Sequence, residues 1–226
     1  MNPLERRQKI LSLLDLEPRL TASQIASLAY PTKEIRLISG KPYPKTYQSA
    51  RNMLMRMLER KEVKRQEFDF GVADWFMLPK TKGLQRWAYL HQKAAADVFV
   101  AYHPFMSAWS YEPAILRDRA DRGMRIFDKT IYFEVDRCTE GIKVIEGKID
   151  NYIQYARETG ERFHVVFCII GSETEILNRG NLIIPILRER KRGDQFLIAN
   201  AGNIISNPLG EVFYSPKDEI KSLEAL

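Results

Sequence analysis

The 226-residue sequence has few cysteines and no long hydrophobic run. Its two cysteines, Cys138 and Cys168, can form at most one bond, which excludes a disulfide-rich secreted scaffold. The longest apolar runs, 163–170 and 182–187, are far shorter than the roughly 20 residues that span a bilayer. The N-terminal segment MNPLERRQKI lacks the apolar core of a secretory signal. We therefore expect a cytoplasmic protein without a membrane partner.

Paired histidines and a phosphate-binding glycine loop are also missing. His91, His103 and His164 are scattered, without the close spacing of a histidine metal site. No G-x-x-x-x-G-K-[ST] segment occurs. These absences argue against a histidine-metal relaxase that uses tyrosine as its nucleophile, and against ATP-driven remodelling.

Positive charge is concentrated at one end of the chain. Residues 1–82 contain 16 Lys and Arg against 9 Asp and Glu, a net +7, whereas the remainder contains 19 against 20, a net −1. Such asymmetry favours a module that meets a polyanion such as nucleic acid. The alternative is a well-solvated basic domain.

The basic end has the pattern of a winged helix-turn-helix. Residues Thr21 to Gln24 have the S/T-x-x-E/Q form that begins a helix. Apolar spacing and turn residues predict, in order, a helix at 3–16, a helix from 21 to about 30, a long connection at 31–44, a helix at 45–61 and a hairpin from 62 to 78. We predict a winged-helix domain over residues 1–81.

In a winged helix the third helix enters the major groove and the hairpin lies along phosphates. Winged helices also serve as dimerisation or docking modules, but the basic charge favours binding of double-stranded DNA. The residues expected to contact DNA are Lys45, Gln48, Arg51, Asn52 and Arg56 on the third helix, and Lys64 and Arg65 on the wing.

Residues 82–226 are predicted to form an α+β or α/β domain with a mixed sheet. The predicted order is α-β-β-β-α-β: a helix at 83–102, an extended segment at 109–113, strands at 121–127 and 130–136, a helix at 140–158 and a strand at 163–170. A helix at 173–191, a strand at 195–200 and a hairpin-like stretch to 214 follow.

Carboxylates lie at the ends of two of these strands. Asp121 opens one strand, while Glu134 and Asp136 end its partner and lie on one face. Lys148 follows in the next helix. Converging carboxylates can hold Mg²⁺ or Mn²⁺, and a nearby lysine can offset charge in a phosphoryl-transfer transition state. The pattern indicates a metal-dependent nuclease, and the alternative is a set of salt bridges.

Three segments carry a resemblance to a known family. Arg119-Ala-Asp121, the stretch 131–140 (IYFEVDRCTE), and Lys148 with Tyr152 and Tyr155 resemble the replication-relaxation family of plasmids and mobile elements. The same layout, a winged helix fused to a domain similar to PD-(D/E)XK restriction endonucleases, is that of MobC-type relaxases.

The resemblance implies nicking of a plasmid origin of transfer or replication, with other relaxosome or replication proteins as possible partners. It makes Asp121 and Glu134 metal ligands, Asp136 a further ligand or an orienting carboxylate, and Lys148 the catalytic lysine. Mg²⁺ or Mn²⁺ is the implied cofactor. The alternative function is a catalytically inactive DNA-binding accessory or regulator.

The sequence departs from the restriction-endonuclease motif at two positions. Ala120 stands where the motif prefers proline, and Asp136 occupies the place of the usual lysine. Activity then depends on Lys148, or less favourably on Lys143, reaching the site from the helix. Asp118 is the alternative to Asp121.

Overall fold

The computed structural model describes residues 1–30, 44–68, 73–191, 195–217 and 219–223. In these residues the protein is mixed α+β, with seven α-helices and a mixed seven-stranded sheet. The chain divides into two compact units, Met1–His103 and Pro104–Leu226. The boundary between the units falls after the helix at 89–102, whereas the second domain predicted from the sequence, 82–226, includes that helix.

The first unit combines four helices with a small sheet. Its elements are α1 (Pro3–Leu16), β1 (Leu20–Thr21), α2 (Ala22–Ala29), α3 (Pro44–Glu59), β2 (Lys64–Gln66), β3 (Trp75–Met77) and α4 (Tyr89–Tyr102). The strands form an antiparallel sheet in the order β1-β3-β2. The predicted helices at 3–16, 21–30 and 45–61 and the hairpin are confirmed. The predicted connection at 31–44 lies, up to residue 43, outside the described residues.

Local capping fixes the start of α2. The Thr21 side chain accepts a hydrogen bond from the Gln24 backbone N–H, and the Gln24 side chain accepts one from the Thr21 N–H. The Gln24 amide also donates to Asp97 of α4 at 2.7 Å. A capping box therefore starts α2, and the Gln24–Asp97 hydrogen bond links α2 to α4.

The second unit is built on the large sheet. Its elements are β4 (Ala108–Tyr111), β5 (Ala114–Ile115), β6 (Asp118–Arg119), β7 (Arg122–Ile126), β8 (Lys129–Asp136), α5 (Ile142–Thr159), β9 (Phe163–Ile169), α6 (Glu173–Glu189), β10 (Phe196–Asn200), α7 (Ala201–Ser206), β11 (Glu211–Tyr214) and β12 (Ile220–Ser222). The strand order is β12-β11-β10-β9-β8-β7-β4, in which β8, β9 and β10 run parallel. The other pairs are antiparallel.

Both α5 and α6 cover one face of this sheet. Residues from both helices share a core with the alternate residues 163, 165, 167 and 169 of β9. The parallel register pairs Glu134 with Phe167 and Asp136 with Ile169, so both carboxylates belong to the helix-covered face. The fold thereby turns two acidic side chains of β8 toward two helices.

Two local predictions were wrong. The helix expected from 83 begins at Tyr89, after a 3₁₀ turn at Arg86–Ala88. The stretch after β10 begins with α7, which Asn200 caps by accepting from the Gly202 N–H. The Asn207–Gly210 turn then leads into the β11–β12 pair. In the described residues no helix is both long and apolar enough to cross a membrane.

Candidate functional site

The candidate site lies where β7 begins and β8 ends. Asp121 immediately precedes β7, and the antiparallel register pairs Arg122 with Phe133. Asp121 therefore lies beside the end of β8, where its Oδ2 accepts a hydrogen bond from the Val135 N–H at 2.7 Å. This contact fixes the Asp121 carboxylate next to the strand that carries Glu134.

Glu134 is almost fully buried, with 3% of its surface exposed, and both of its oxygens accept from α5. Tyr152 donates its hydroxyl to Oε1 at 2.6 Å, and the Lys148 ammonium lies 3.0 Å from Oε2. Lys148 and Tyr152 are four residues apart, so both project from one face of the helix. The spacing K-x-x-x-Y thus places a cation and a hydroxyl on one buried carboxylate.

Burial and neighbouring charge shift the proton affinities of this cluster. Burial, together with the nearby Asp121, raises the pKa of Glu134 to about 7 from 4.5, although Lys148 and Tyr152 oppose the rise. Burial lowers the pKa of Lys148, but the carboxylates of Glu134 and Glu140 outweigh it and raise that pKa above its usual value. Burial and Glu134 hold the pKa of Tyr152 well above 10. At neutral pH the lysine is charged and the tyrosine is neutral.

Glu140 provides a second carboxylate for the same lysine. Its Oε1 lies 3.0 Å from the Lys148 ammonium. Its Oε2 is buried without a hydrogen-bond partner. Glu140 stands in the segment between β8 and α5, immediately before the Gly141 cap of the helix.

Asp136 belongs to a different cluster on the same strand. The Arg179 guanidinium of α6 donates to Oδ2, and the Cys138 N–H donates to Oδ1 at 2.8 Å. Asp136 and Arg179 are only 2% and 5% exposed. Both Asp136 oxygens are thus occupied by donors of the protein itself.

Asp121 and Glu134 suit a hard divalent cation. Within the described residues no group of three His, Cys, Asp or Glu side chains is arranged to hold a metal ion. Mg²⁺, however, is commonly bound through one or two carboxylates, with waters and substrate phosphates completing the shell. The electrostatic crowding of Glu134 by Asp121 is of the kind that a cation relieves. Two oxygen ligands therefore fit Mg²⁺ or Mn²⁺.

The alternative residues lie elsewhere. Lys143 and Asp118 are exposed, whereas Lys148 contacts Glu134 directly. Sequence reasoning missed Arg179 and Glu140 as partners. The contact between Glu140 and Lys148 could have been predicted, because Glu140 precedes Lys148 by about two helical turns. Nothing in the local sequence links Arg179 to Asp136.

The predicted DNA-contacting residues all belong to the first unit. The side chain of Lys45, in the first turn of α3, lies outside the described residues. The other α3 residues are exposed, namely Gln48, Arg51, Asn52 and Arg56. The Gln48 amide donates to the Asn52 side-chain oxygen at 2.9 Å, so these two polar groups are adjacent on the helix surface.

The two residues predicted for the wing, Lys64 and Arg65, are partly buried on β2. Arg65 pairs with Glu67 and lies 3.8 Å from Asp74. Arg51 and Arg65 line one depression of about 350 Å³. The structure thus brings Arg51 of α3 and Arg65 of β2 to one depression, and nearby carboxylates partly neutralise Arg65.

Comparison with family sequence patterns confirms the family resemblance. The sequence pattern of the replication-relaxation family matches residues 50–166, which include Asp121, Glu134, Asp136 and Lys148. No curated protein matches the chain. A crystal structure of a protein from Vibrio cholerae is similar over 92% of this chain, with 11% sequence identity and a TM-score of 0.31. This chain spans about half, 51%, of that protein.

Proposed function

The chain belongs to the replication-relaxation family, and we propose from this premise that it binds and nicks DNA of plasmids or related mobile elements. Family membership supports a role in the replication or relaxation of such DNA. Our proposal adds a mechanism, which is the metal-dependent hydrolysis of one phosphodiester bond by the second unit.

One observation carries this proposal. Asp121 and Glu134 converge at the ends of adjacent strands, and the Lys148 ammonium lies 3.0 Å from Glu134. A pair of carboxylates with one lysine supplies the charges that phosphodiester hydrolysis requires, two ligands for a cation and one positive group for the phosphate. The site is formed by residues of the second unit alone.

Each residue of the site has a distinct role in the proposed reaction. When bound, Mg²⁺ or Mn²⁺ polarises a phosphoryl oxygen and lowers the pKa of water. Asp121 and Glu134 hold the cation, and Tyr152 orients Glu134 through its 2.6 Å hydrogen bond. Lys148 stabilises the negative charge that develops as water adds to phosphorus. The attacking water releases one proton as its oxygen bonds to phosphorus, one P–O ester bond breaks, and the leaving oxygen takes up one proton, so the net change is the addition of water across the ester.

The contacts of Asp136 suit it to an orienting role. Because Arg179 and the Cys138 N–H occupy its two oxygens, we propose that Asp136 fixes the end of β8 and does not ligate the cation. The cation would then have Asp121 and Glu134 as its protein ligands. This assignment keeps one of the two roles that the family resemblance implies.

For the first unit we propose a winged helix that binds duplex DNA through α3 and the β2–β3 hairpin. The order α1-β1-α2-α3-β2-β3 and the sheet order β1-β3-β2 support this assignment. The adjacent amides of Gln48 and Asn52 are suited to adenine edges, and Arg51 and Arg56 to phosphates or guanine. The net charge of +7 in residues 1–82 adds sequence-independent attraction.

A second candidate function is that of an accessory DNA-binding protein without nuclease activity. The observation in its favour is that donors from the protein occupy both oxygens of Glu134 and both oxygens of Asp136. Buried carboxylates satisfied in this way also occur in purely structural networks.

A nicking assay on supercoiled cognate plasmid with Mg²⁺ or Mn²⁺ separates the two candidates. We expect the full chain to convert supercoiled to open-circular plasmid, and Asp121→Asn or Glu134→Gln to abolish conversion while DNA binding is retained. Lys143→Met, which removes an exposed lysine from the same helix, should have no effect. Conversion that does not need a metal would contradict the proposed metal-dependent mechanism. No conversion by a protein that binds the plasmid would contradict nicking and favour the accessory role.

A further inference from the structure

The Lys148 ammonium is shared between two carboxylates. It lies 3.0 Å from Glu134 Oε2 and 3.0 Å from Glu140 Oε1. The two acceptors differ, because Glu134 is also held by Tyr152, whereas the second oxygen of Glu140 is buried without a hydrogen-bond partner. One lysine thus neutralises a site carboxylate and has an alternative carboxylate within reach.

Cation binding at Glu134 and the present position of Lys148 oppose each other, because both place a positive charge at the same carboxylate. Oε1 accepts from Tyr152 and Oε2 faces the ammonium, so a cation that binds Oε2 would lie beside a positive charge, and the repulsion between the two favours movement of the lysine. An ammonium expelled without a partner would lose a hydrogen bond to a charged group. Glu140 offers a replacement, since its Oε1 is already in contact and its unpartnered Oε2 can accept a second bond.

The surroundings favour Glu140 over other acceptors. Asp136 is the next carboxylate along β8, but Arg179 and the Cys138 N–H occupy it. Glu140 lies just before α5 and Lys148 in the second turn of that helix, so the two side chains stay near each other whatever Glu134 does. The lysine can thereby remain beside the site without blocking it.

We propose that Glu140 is a positioning residue that receives Lys148 when a divalent cation takes Glu134. Lys148 holds the place of the cation in its absence, and Glu140 keeps the ammonium close to the site in its presence. This inference rests on the proposed function, because it requires cation binding at Asp121 and Glu134.

The test is a double-mutant cycle on Mn²⁺ affinity in the full chain, measured from the electron paramagnetic resonance signal of free Mn²⁺. The variants are Glu140→Gln, Lys148→Met and the double variant. The matched controls are Glu158→Gln, an exposed carboxylate of α5 that accepts from Gln154, and Lys143→Met. Glu140→Asp, which keeps the charge but withdraws it by one methylene, replaces Glu140→Gln if that variant does not fold.

We expect Lys148→Met to tighten Mn²⁺ binding, because the competing ammonium is gone. Glu140→Gln should weaken it about tenfold, the equivalent of one hydrogen bond to a charged group. In the Lys148→Met background, Glu140→Gln should change the affinity less than about twofold, because no lysine remains to be received. Both controls should bind like the wild type.

An equal effect of Glu140→Gln with and without Lys148 would overturn the inference, since Glu140 would then act as a ligand or through its field alone. Unchanged affinity in Glu140→Gln or in Lys148→Met would overturn it as well. In these cases the proposed function stands, because the wild type still binds Mn²⁺. Failure of the wild type to bind Mn²⁺ would instead refute the proposed function and the inference with it.

Discussion

Glu134 and Asp136 are two residues apart on one strand and face the same two-helix layer, yet their surroundings differ. Asp136 faces an arginine guanidinium and a backbone N–H. Glu134 faces a lysine that has a second carboxylate within reach, a tyrosine hydroxyl and the like charge of Asp121. One carboxylate is held by a dedicated partner, and the other by a shared one.

The contrast suggests where a ligand can bind. Displacing Arg179 from Asp136 would leave two buried charges uncompensated, which is costly. Displacing Lys148 from Glu134 exchanges one carboxylate partner for another that already touches it. The Asp136–Arg179 pair is therefore suited to a structural role, and the Asp121–Glu134 pair is suited to binding a cation.

The largest expected effect comes from breaking the dedicated pair. Arg179→Met should lower the free energy of unfolding by about 3–5 kcal/mol, because Asp136 stays buried without its cation. At about pH 5, Glu134→Gln should change it by less than about 1 kcal/mol, because the Glu134 carboxyl is still protonated in the folded protein at that pH. Urea unfolding followed by circular dichroism measures both. If Arg179→Met is as stable as Glu134→Gln, the two carboxylates do not differ as described.

A control for this prediction replaces both partners with apolar residues. Arg179→Met combined with Asp136→Leu should recover much of the lost stability, because no unpaired charge remains buried. A double variant no more stable than Arg179→Met would show that the loss comes from packing.

The next largest effect concerns the shared lysine. Lys148→Met should reduce plasmid nicking by about 10²–10³-fold, as expected when a group that stabilises transition-state charge is removed. Lys143→Met should leave the rate unchanged, because Lys143 is exposed on the same helix. Gel densitometry of nicked product over time measures both rates. Equal losses in the two variants would remove the special role of Lys148.

A smaller effect concerns the pH dependence of stability. The pKa of Glu134 is raised to about 7 in the folded protein from 4.5, so between these values the folded state keeps a proton that the unfolded state releases. Because of Glu134, the free energy of unfolding should therefore fall by roughly 1–3 kcal/mol as pH rises from about 4.5 to 7. The Glu134→Gln variant should lack this loss. Melting temperatures of both proteins across this range give the difference, and parallel profiles would contradict the raised pKa.

The smallest effect extends the contrast to the first unit, where Arg65 is paired with carboxylates and Arg51 is exposed. Arg51→Ala should weaken duplex binding several-fold and reduce the slope of log affinity against log salt by about one. Arg65→Ala should change the slope less, because its charge is partly neutralised. Fluorescence anisotropy at several salt concentrations measures the slopes, and a steeper loss for Arg65→Ala would reverse the assignment.

Much of the fold was predictable where local chemistry decides it. The Thr21–Gln24 capping box predicted the start of α2, and the alternating pattern predicted the β7–β8 hairpin. The tight turn lies at Phe127 and Asp128, both with positive φ, one residue before the predicted turn at 128–129. The two-residue strands β1, β5 and β6 escaped prediction because two residues carry no periodic pattern. The six-residue α7 is equally short.

The site was predictable in part for the same reason. The strand period of two placed Glu134 and Asp136 on one face, and the helix period placed Lys148 and Tyr152 together. The different surroundings of Glu134 and Asp136 could not be predicted, because they depend on Arg179, which lies 43 residues from Asp136 along the chain. Long-range partners of this kind are set by the packing of α6, which no spacing in the sequence records.

Mn²⁺ binding to the full chain tests most directly whether Asp121 and Glu134 form a divalent-cation site. Titration calorimetry should show a site in the wild type and in Glu158→Gln, and no such site in Asp121→Asn or Glu134→Gln, both of which should remain folded by circular dichroism. Equal Mn²⁺ affinity in the wild type and in Glu134→Gln would contradict the account.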